Sequence, residues 1–146
     1  MRRLSKYIFG ILFVSLILVI VACDGVTRRR PTLKASRADS VLFDVGVVKD
    51  YERMRQLADS FEVAGVISPL DANRWRGVSY YHEGHYRMSE LYYRKAVECK
   101  VENDEDQLSY NKCARRLSEL LLVKGDYEGA LIVAIPAVKK MEESGI

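Results

Sequence analysis

The side chains best suited to chemistry in this sequence are two histidines at a predicted turn, in the run His82-Glu83-Gly84-His85. Two imidazoles on one helical face bind a metal when they are four residues apart, as in the HExxH pattern. Here the spacing is three, a turn glycine stands between, and the chain has no further histidine. The residues therefore favour no metal site and no cofactor. A metal-binding or hydrolytic protein that uses His82 and His85 with nearby carboxylates is the alternative.

The other reactive side chains are cysteines, and their surroundings in sequence do not indicate catalysis. Cys99 and Cys113 have no histidine near them, and the chain contains neither a G-x-S-x-G nucleophile motif nor a glycine-rich phosphate loop. The two thiols either form a disulfide, which an oxidising compartment would permit, or pack as small apolar residues. We therefore predict that the protein is not an enzyme.

The elements that position these residues are predicted to be helices. Apolar residues recur at steps of three and four over 39–146, and no run alternates clearly enough to indicate a strand. Ser68, Pro69 and Asp71 form a helix start, with a serine cap, a proline in the first turn and an acid three residues after the cap. The sequence thus predicts one all-α domain. Its six helices are expected near residues 37–47, 50–65, 69–83, 85–101, 104–123 and 126–143.

Two stretches of this domain repeat the same residue types at the same spacing. In matching order the two sets are Gly77, Tyr80, Gly84, Tyr86, Ser89, Tyr93 and Ala96, and Ser118, Leu121, Gly125, Tyr127, Ala130, Ala134 and Ala137. This pattern resembles the tetratricopeptide repeat, a helix–turn–helix unit of 34 residues. In that family, small residues let the two helices of a hairpin approach closely, and the glycine and tyrosine mark their turn.

The spacing of the copies departs from the family's period. Tyr86 and Tyr127 are 41 residues apart, so seven extra residues are expected near Lys100–Asp106, where they would lengthen the fourth and fifth helices. A weaker copy places Tyr51 35 residues before Tyr86. The resemblance is strongest over 73–137, and it predicts about 2.5–3 tetratricopeptide-like hairpin repeats.

The resemblance also implies a binding surface, because the first helix of each repeat lines the concave face of a tetratricopeptide array. Lys112 and Arg116 lie one helical turn apart, and with Arg74 they would hold a peptide carboxylate through charge-assisted hydrogen bonds. The asparagines of the family's carboxylate clamp are missing, so solvated surface cations are the alternative. By register, the partner-binding residues are expected to be Arg74, Val78, Tyr81, His82, Lys112, Arg115, Arg116 and Glu119.

The N-terminus has the composition of an export signal. Three cations within residues 1–6 precede a 16-residue run without charge over 7–22, which is short of the roughly 20 apolar residues that span a bilayer core. The run ends in the letters IVAC at 20–23, which resemble the lipobox of bacterial lipoproteins. In that family the cysteine receives a diacylglyceryl group and the peptidase cuts before it, so Cys23 is the expected lipidation site.

This second resemblance implies three segments: a signal peptide over 1–22, a lipidated Cys23 with a basic tether over 23–38, and the helical domain over 39–146. The mature protein would be held at the bacterial cell envelope, facing away from the cytoplasm. Asp24 does not decide between the inner and the outer membrane, because the sorting rule depends on lineage. An uncleaved transmembrane helix, in which the cysteine is incidental, is the alternative.

Charge argues against one class of partner. The whole chain carries +3, but without residues 1–22 it has 20 basic and 20 acidic side chains. Residues 24–38 carry +4 and residues 39–146 carry −4. Because phosphate neutralisation supplies most nucleic-acid affinity, this mildly acidic body is not expected to bind nucleic acid. The basic segment either contacts anionic headgroups or is a solvated linker.

The expected function is therefore that of a lipid-anchored, extracytoplasmic interaction or scaffolding module with a protein or peptide partner. A single-span or truncated sensor domain of a signalling protein is the alternative. Helical arrays normally end in a polar capping helix, and the sequence stops at Ile146 after the second helix of a hairpin. We therefore expect an incompletely covered face and self-association through the C-terminal repeat. The residues of that face are Leu131, Ile132, Ile135 and Val138.

Overall fold

The computed structural model describes residues 33–144, which form six α-helices and no strand. The helices are α1 (Leu33–Val47), α2 (Tyr51–Val63), α3 (Pro69–His82), α4 (Tyr86–Glu98), α5 (Asp104–Lys124) and α6 (Tyr127–Ser144). None of these helices has the length and apolar character needed to cross a bilayer. The all-helical prediction is confirmed, whereas Cys23, the expected export signal over 1–22 and the arginines at 28–30 lie outside the described residues.

Consecutive helices pair into hairpins that stack in chain order. Helix α1 packs on α2, α3 on α4 and α5 on α6, and we call these pairs the first, second and third hairpins. The second helix of each hairpin also packs on the first helix of the next. Because α3 contacts α5 as well, the first helices of the second and third hairpins lie side by side.

Local signals in the sequence fix where two of the first helices begin. The Ser68 hydroxyl accepts a hydrogen bond from the backbone N–H of Asp71 at 3.1 Å, at the start of α3. At the start of α5, the Asn103 side chain accepts from the N–H of Asp106 at 2.9 Å, and the Asp106 carboxylate accepts from the N–H of Glu102 at 3.2 Å. These bonds satisfy N–H groups that no helical carbonyl can reach.

The corners of the second and third hairpins are turned by glycine. Gly84 has φ +79° and Gly125 has φ +80°, a left-handed conformation that other residues adopt only with strain. Both glycines were expected at these corners. At the first hairpin the corresponding turn places Lys49 at φ 62°, and no glycine stands there in the sequence.

The small residues of the repeated pattern lie where the two helices of a hairpin approach each other. The Ser89 hydroxyl donates to the carbonyl oxygen of Gly77 at 2.9 Å, and the Ser118 hydroxyl donates to that of Ala130 at 3.2 Å. A Cβ at Gly77 would stand 2.8 Å from a ring carbon of Tyr93. The predicted close approach is confirmed at both hairpins.

Two buried clusters of apolar side chains lie between successive hairpins. The first joins Leu42 and Met54 of the first hairpin to Trp75 of α3. The second joins Tyr93 of α4 to Leu117 of α5, and extends to α6. Because each cluster draws on two neighbouring hairpins, the core of the molecule is the set of interfaces between hairpins.

Two helix boundaries differ from the sequence expectation. Helix α1 begins at Leu33, inside the segment expected to be a tether, and Ala38 within it is buried in the core. Helix α4 ends at Glu98, so it is not lengthened as predicted. The extra residues of the long repeat instead form the connection 99–103 and the extended α5, which has 21 residues.

Candidate functional site

Arg74 is buried and is not available to a partner, contrary to the prediction. It is only 7% exposed, because its guanidinium forms ion pairs with Asp39 of α1 and with Asp71 at 3.1 Å, and lies 4.4 Å from the centre of the Trp75 ring. Asp39 also accepts a hydrogen bond from the indole N–H of Trp75 at 2.7 Å. Asp71 accepts another from Ser109 of α5 at 2.6 Å. Arg74 therefore belongs to a network that joins the first helices of all three hairpins.

The other predicted residues of α3 divide between core and surface. Val78 packs against both apolar clusters, so it contributes to the core rather than to a binding face. Tyr81 and His82 lie in the last turn of α3. The His82 ring stacks on Tyr51 of α2, with centroids 5.7 Å apart, and meets the Tyr81 ring edge-on at 5.6 Å. Only the end of α3 therefore offers side chains for contact.

The predicted residues of α5 form two groups. Lys112 and Arg115 are exposed along a groove between α5 and α6. Arg116 and Glu119 form an ion pair at 2.7 Å, and the Arg116 guanidinium lies 5.2 Å from the centre of the Tyr81 ring. The hydrogen bond to Glu119 raises the pKa of Arg116 against the effect of burial. The expected carboxylate clamp is not assembled, because its third cation is buried.

Aromatic rings gather where α3 ends and α4 begins, and of these tyrosines only Tyr81 was expected to bind a partner. The rings of Tyr81 and Tyr86 meet edge-on at 5.7 Å. Tyr80 stacks on Tyr92 at 5.5 Å, and the Arg55 guanidinium lies 4.5 Å from the centre of the Tyr80 ring. Tyr86 remains 57% exposed, so one face of this cluster is open to contact.

Tyr81 and Tyr86 line an open cleft of about 600 Å³ between the second and third hairpins, which we call the aromatic cleft. The last turns of α5 line it as well, where Val123 is 88% exposed. Large apolar and aromatic surfaces thus meet across an opening that a peptide side chain can enter. The lining residues are Tyr81, Tyr86, Arg87, Glu90, Glu119, Leu120, Val123 and Lys124.

Ion pairs hold the charged groups of the aromatic cleft in place. Glu90 accepts hydrogen bonds from Lys124 at 2.7 Å and from Arg94 at 2.9 Å. Burial of the Glu90 carboxyl opposes its ionisation, but the two bonds outweigh this effect and lower its pKa. Since Lys124 belongs to α5 and Glu90 to α4, their pair connects the two hairpins beside the cleft.

Tyr86 and Arg87 were missed because binding was assigned to the first helices alone, and Lys124 was missed because the expected helix 104–123 ended before it. The two corner glycines would have indicated these residues, because each glycine lies close to them in the sequence. Gly84 lies two residues before Tyr86, and Gly125 directly follows Lys124. Corners of stacked hairpins lie at the same end of an array, so residues that flank them are brought together.

Each of the two histidines lies against a tyrosine ring in the described part of the chain. His82 stacks on Tyr51, while His85 lies edge-on to Tyr80 with centroids 6.3 Å apart. Over residues 33–144 no group of three or more histidine, cysteine, aspartate or glutamate side chains is placed to hold a metal ion. Cys99 and Cys113 are free thiols and do not form a disulfide with each other. Burial raises the pKa of the Cys113 thiol to about 12.

The aromatic cleft combines exposed tyrosine surface with ion-paired charges. Exposed tyrosine rings offer broad apolar surfaces with polar tips, and fixed ion pairs offer oriented charge. Its lining residues include no histidine, serine or cysteine that would pair a base with a nucleophile. No family model, no curated protein and no solved structure matches the chain.

Proposed function

We propose that this protein is a membrane-anchored interaction module that holds a protein or peptide partner in the aromatic cleft. The observation that carries the proposal is the cleft itself, in which Tyr81 and the half-exposed Tyr86 lie together with the exposed Val123. Tyrosine is enriched at protein interfaces, where its large ring gives contact area at a small cost in conformational entropy. An apolar centre with charged groups at its rim has the anatomy of a protein-binding surface.

The charges of the cleft favour a particular kind of partner segment. Glu90 is neutralised by Lys124, and Glu119 is neutralised by Arg116. Arg87 is exposed at the same opening and adds a positive charge. The favoured ligand is a segment that inserts an apolar or aromatic side chain and carries an acidic group beside it, because a carboxylate there would pair with Arg87.

The hairpin array supports a binding role of the tetratricopeptide-like kind, which we propose as the fold family. The close contacts of Gly77 with Ser89 and of Ser118 with Ala130 lie where that resemblance implies them. Stacked helical repeats present extended surfaces and serve mainly in recognition. In our proposal the partner binds at the hairpin corners, since Arg74 is buried away from the concave face.

We further propose that Cys23 anchors the module at the bacterial cell envelope. The support is the lipobox-like run at 20–23 after the uncharged residues 7–22, all outside the described residues. Nine residues separate Cys23 from Leu33, where α1 begins. Their extended length is at most about 35 Å, so the helical array would stay close to the membrane surface.

The substitution Tyr86→Ala tests this function. Loss of a central interface tyrosine typically costs about 2 kcal/mol, so the partner recovered with the full chain from crosslinked envelope membranes is expected to bind about 30-fold more weakly. Tyr127→Ala is the matched control, because Tyr127 has the same position in the third hairpin, is 67% exposed and does not line the cleft. Equal recovery with both variants would count against the cleft as the binding site.

A further inference from the structure

The third hairpin carries an uncovered apolar surface. A groove of about 450 Å³ runs between α5 and α6, with Ser118, Ala134 and Ala137 among its lining residues. Beside it, α6 exposes a row of aliphatic side chains, and the expected exposure of this face is confirmed. The large apolar residues of the whole surface are 38–66% exposed: Leu108, Leu122, Leu131, Ile132, Ile135, Val138 and Met141. Glu119 is the one lining residue that the groove shares with the aromatic cleft.

The register of the repeats identifies the groove as a place where a helix packs. In the second hairpin, the residues that form a cluster with the incoming helix α5 include Tyr81, Tyr93, Ala96 and Val97. Forty-one residues further along, the same positions hold Leu122, Ala134, Ala137 and Val138. These four residues line the groove of the third hairpin. The groove thus corresponds to a surface that is covered by a helix one hairpin earlier.

Helix α1 of a second copy is a poor occupant of this groove. The positions by which α3 and α5 enter the preceding interface include Ala72 and Cys113, both fully buried. By register, α1 has the exposed Arg37 at that position and the exposed Asp44 two turns later. Head-to-tail stacking of copies would bring both charges against the apolar groove, which disfavours this arrangement. Helix α1 thus carries charge at two of these register positions, although Phe43 is also exposed on it, whereas the exposed row of α6 is aliphatic.

The extent of the surface favours a second copy over a single inserted helix. A helix lying in the groove would cover Leu122 and Val138, but would leave the outer row of α6 exposed. The groove and the outer row together expose seven large apolar side chains, and a stable interface needs a broad surface of roughly 800 Å² per partner. A second α5/α6 hairpin, facing the first, is large enough to cover both the groove and the outer row.

The charges of α6 fit an antiparallel pairing with its own copy. Leu131, Ile135 and Val138 follow one another at four and three residues, which places them on one face of the helix. Glu128 and Lys139 lie on the flank of this face, and their midpoint along the helix falls between Val133 and Ala134, close to the middle of the face. When two such helices run antiparallel, the glutamate of each lies opposite the lysine of the other, so the pairing is favoured by charge.

From these observations we propose that two copies of the chain associate through a two-fold interface in which the third hairpins face each other and their α6 helices run antiparallel. Two-fold interfaces are isologous, so one self-complementary surface closes the assembly at a dimer. Each copy covers the groove and the outer row of the other. The aromatic cleft is lined by other residues, with Glu119 at its border, and is a separate surface.

Cysteine crosslinking in membranes tests this proposal. Residue 135 lies near the two-fold axis, so the full chain with Cys99→Ser and Ile135→Cys is expected to form a covalent species of twice the chain mass on oxidation. Phe43→Cys in the same background is the matched control, because Phe43 is 61% exposed and Ile135 is 60% exposed. No such species from the Ile135 variant, equal amounts from both variants, or a crosslink to a different protein would overturn the proposal.

A charge exchange provides a second measurement on the full chain in detergent, by sedimentation equilibrium. Glu128→Lys is expected to weaken association about tenfold, and adding Lys139→Glu to it is expected to restore association. Ile135→Glu should weaken it by about 100-fold or more, while the melting curve of the helices stays unchanged because the side chain is exposed. A wild-type chain that remains monomeric at about 100 µM, or a double variant that is not restored, would contradict an antiparallel dimer.

Discussion

At the scale of the residue, Asp39, Arg74 and Arg115 occupy the same position in the first helices of the three hairpins. An acid and a base are therefore neighbours between the first two hairpins, and Arg74 pairs with Asp39. Between the second and third hairpins, the residue next to Arg115 at this position is Arg74, which is also a cation. Arg115 therefore approaches Glu119 of its own helix instead, at 3.9 Å. Whether each arginine pairs with the preceding hairpin thus depends on the charge of the residue that occupies the same position one repeat earlier.

The different environments of the two arginines lead to a stability prediction. Arg74→Met leaves Asp39 and Asp71 without their shared cation, so we expect the free energy of unfolding to fall by about 2–4 kcal/mol. Arg115→Met removes an exposed side chain and is expected to change it by less than about 0.5 kcal/mol. Denaturant unfolding of the two variants measures the difference. Similar values for both would show that the network around Arg74 contributes little.

The roles of residues that act through local geometry could be predicted from the sequence, whereas the role of Arg74 could not. The cap at Ser68 and the corners at Gly84 and Gly125 depend on a few neighbouring residues, so their roles follow from residue type and spacing. The role of Arg74 depends on Asp39, 35 residues earlier, and on how the first helices stack. A comparison of the same position across the repeats would have indicated the pair.

At the scale of the element, the helices were predicted to within a few residues except at the ends that packing decides. Periodicity located all six helices, because each buries one face against a neighbour. The start of α1 at Leu33 was missed because its first turns have a weak pattern, although Ala38 packs into the first apolar cluster. The end of α4 at Glu98 was missed because nothing in sequence marked the connection 99–103 as non-helical.

The close approach of α3 and α4 predicts the effect of a single methyl group. Gly77→Ala would place its Cβ 2.8 Å from the buried Tyr93 ring, so the free energy of unfolding is expected to fall by about 1–3 kcal/mol. Gly129→Ala is the comparison within α6, where the added Cβ displaces the Asp126 carboxylate, a flexible exposed group that accepts a hydrogen bond from the N–H of residue 129. The higher helix propensity of alanine offsets the weakened cap, so the free energy of unfolding is expected to change by less than about 1 kcal/mol. Thermal or denaturant unfolding distinguishes the two; a neutral Gly77→Ala would mean that the hairpin adjusts freely.

At the scale of the whole molecule, the two ends of the array differ in polarity. The segment 24–38, of local charge +4, includes the first residues of the first hairpin, which exposes Arg37 and Asp44 as well as Phe43, whereas the third hairpin exposes a row of aliphatic residues. The exposed face at the third hairpin was expected from the sequence, and Leu131, Ile132, Ile135 and Val138 on it are 53–66% exposed. The aromatic cleft was not expected, because it forms only when two corners, 41 residues apart, meet in space.

The proposed anchor predicts a covalent label on the mature chain. With labelled palmitate supplied to cells, the wild-type protein is expected to incorporate label and to lose residues 1–22, as measured by mass. Cys23→Ala is expected to incorporate none and to keep those residues, because the thiol that receives the lipid is gone. Cys99→Ala is the control and should behave as the wild type. Equal labelling of Cys23→Ala and wild type would contradict the lipid anchor.

The central claim, a membrane-held module that binds its partner at the aromatic cleft, is tested most directly by photo-crosslinking in growing cells. A benzophenone amino acid at position 86 reports contacts in the cleft, and the same group at position 127 reports the equivalent site one hairpin later. We expect a discrete adduct with a different protein from position 86, and from position 127 only an adduct with a second copy of the chain. No adduct at position 86, or the same adduct from both positions, would contradict the account.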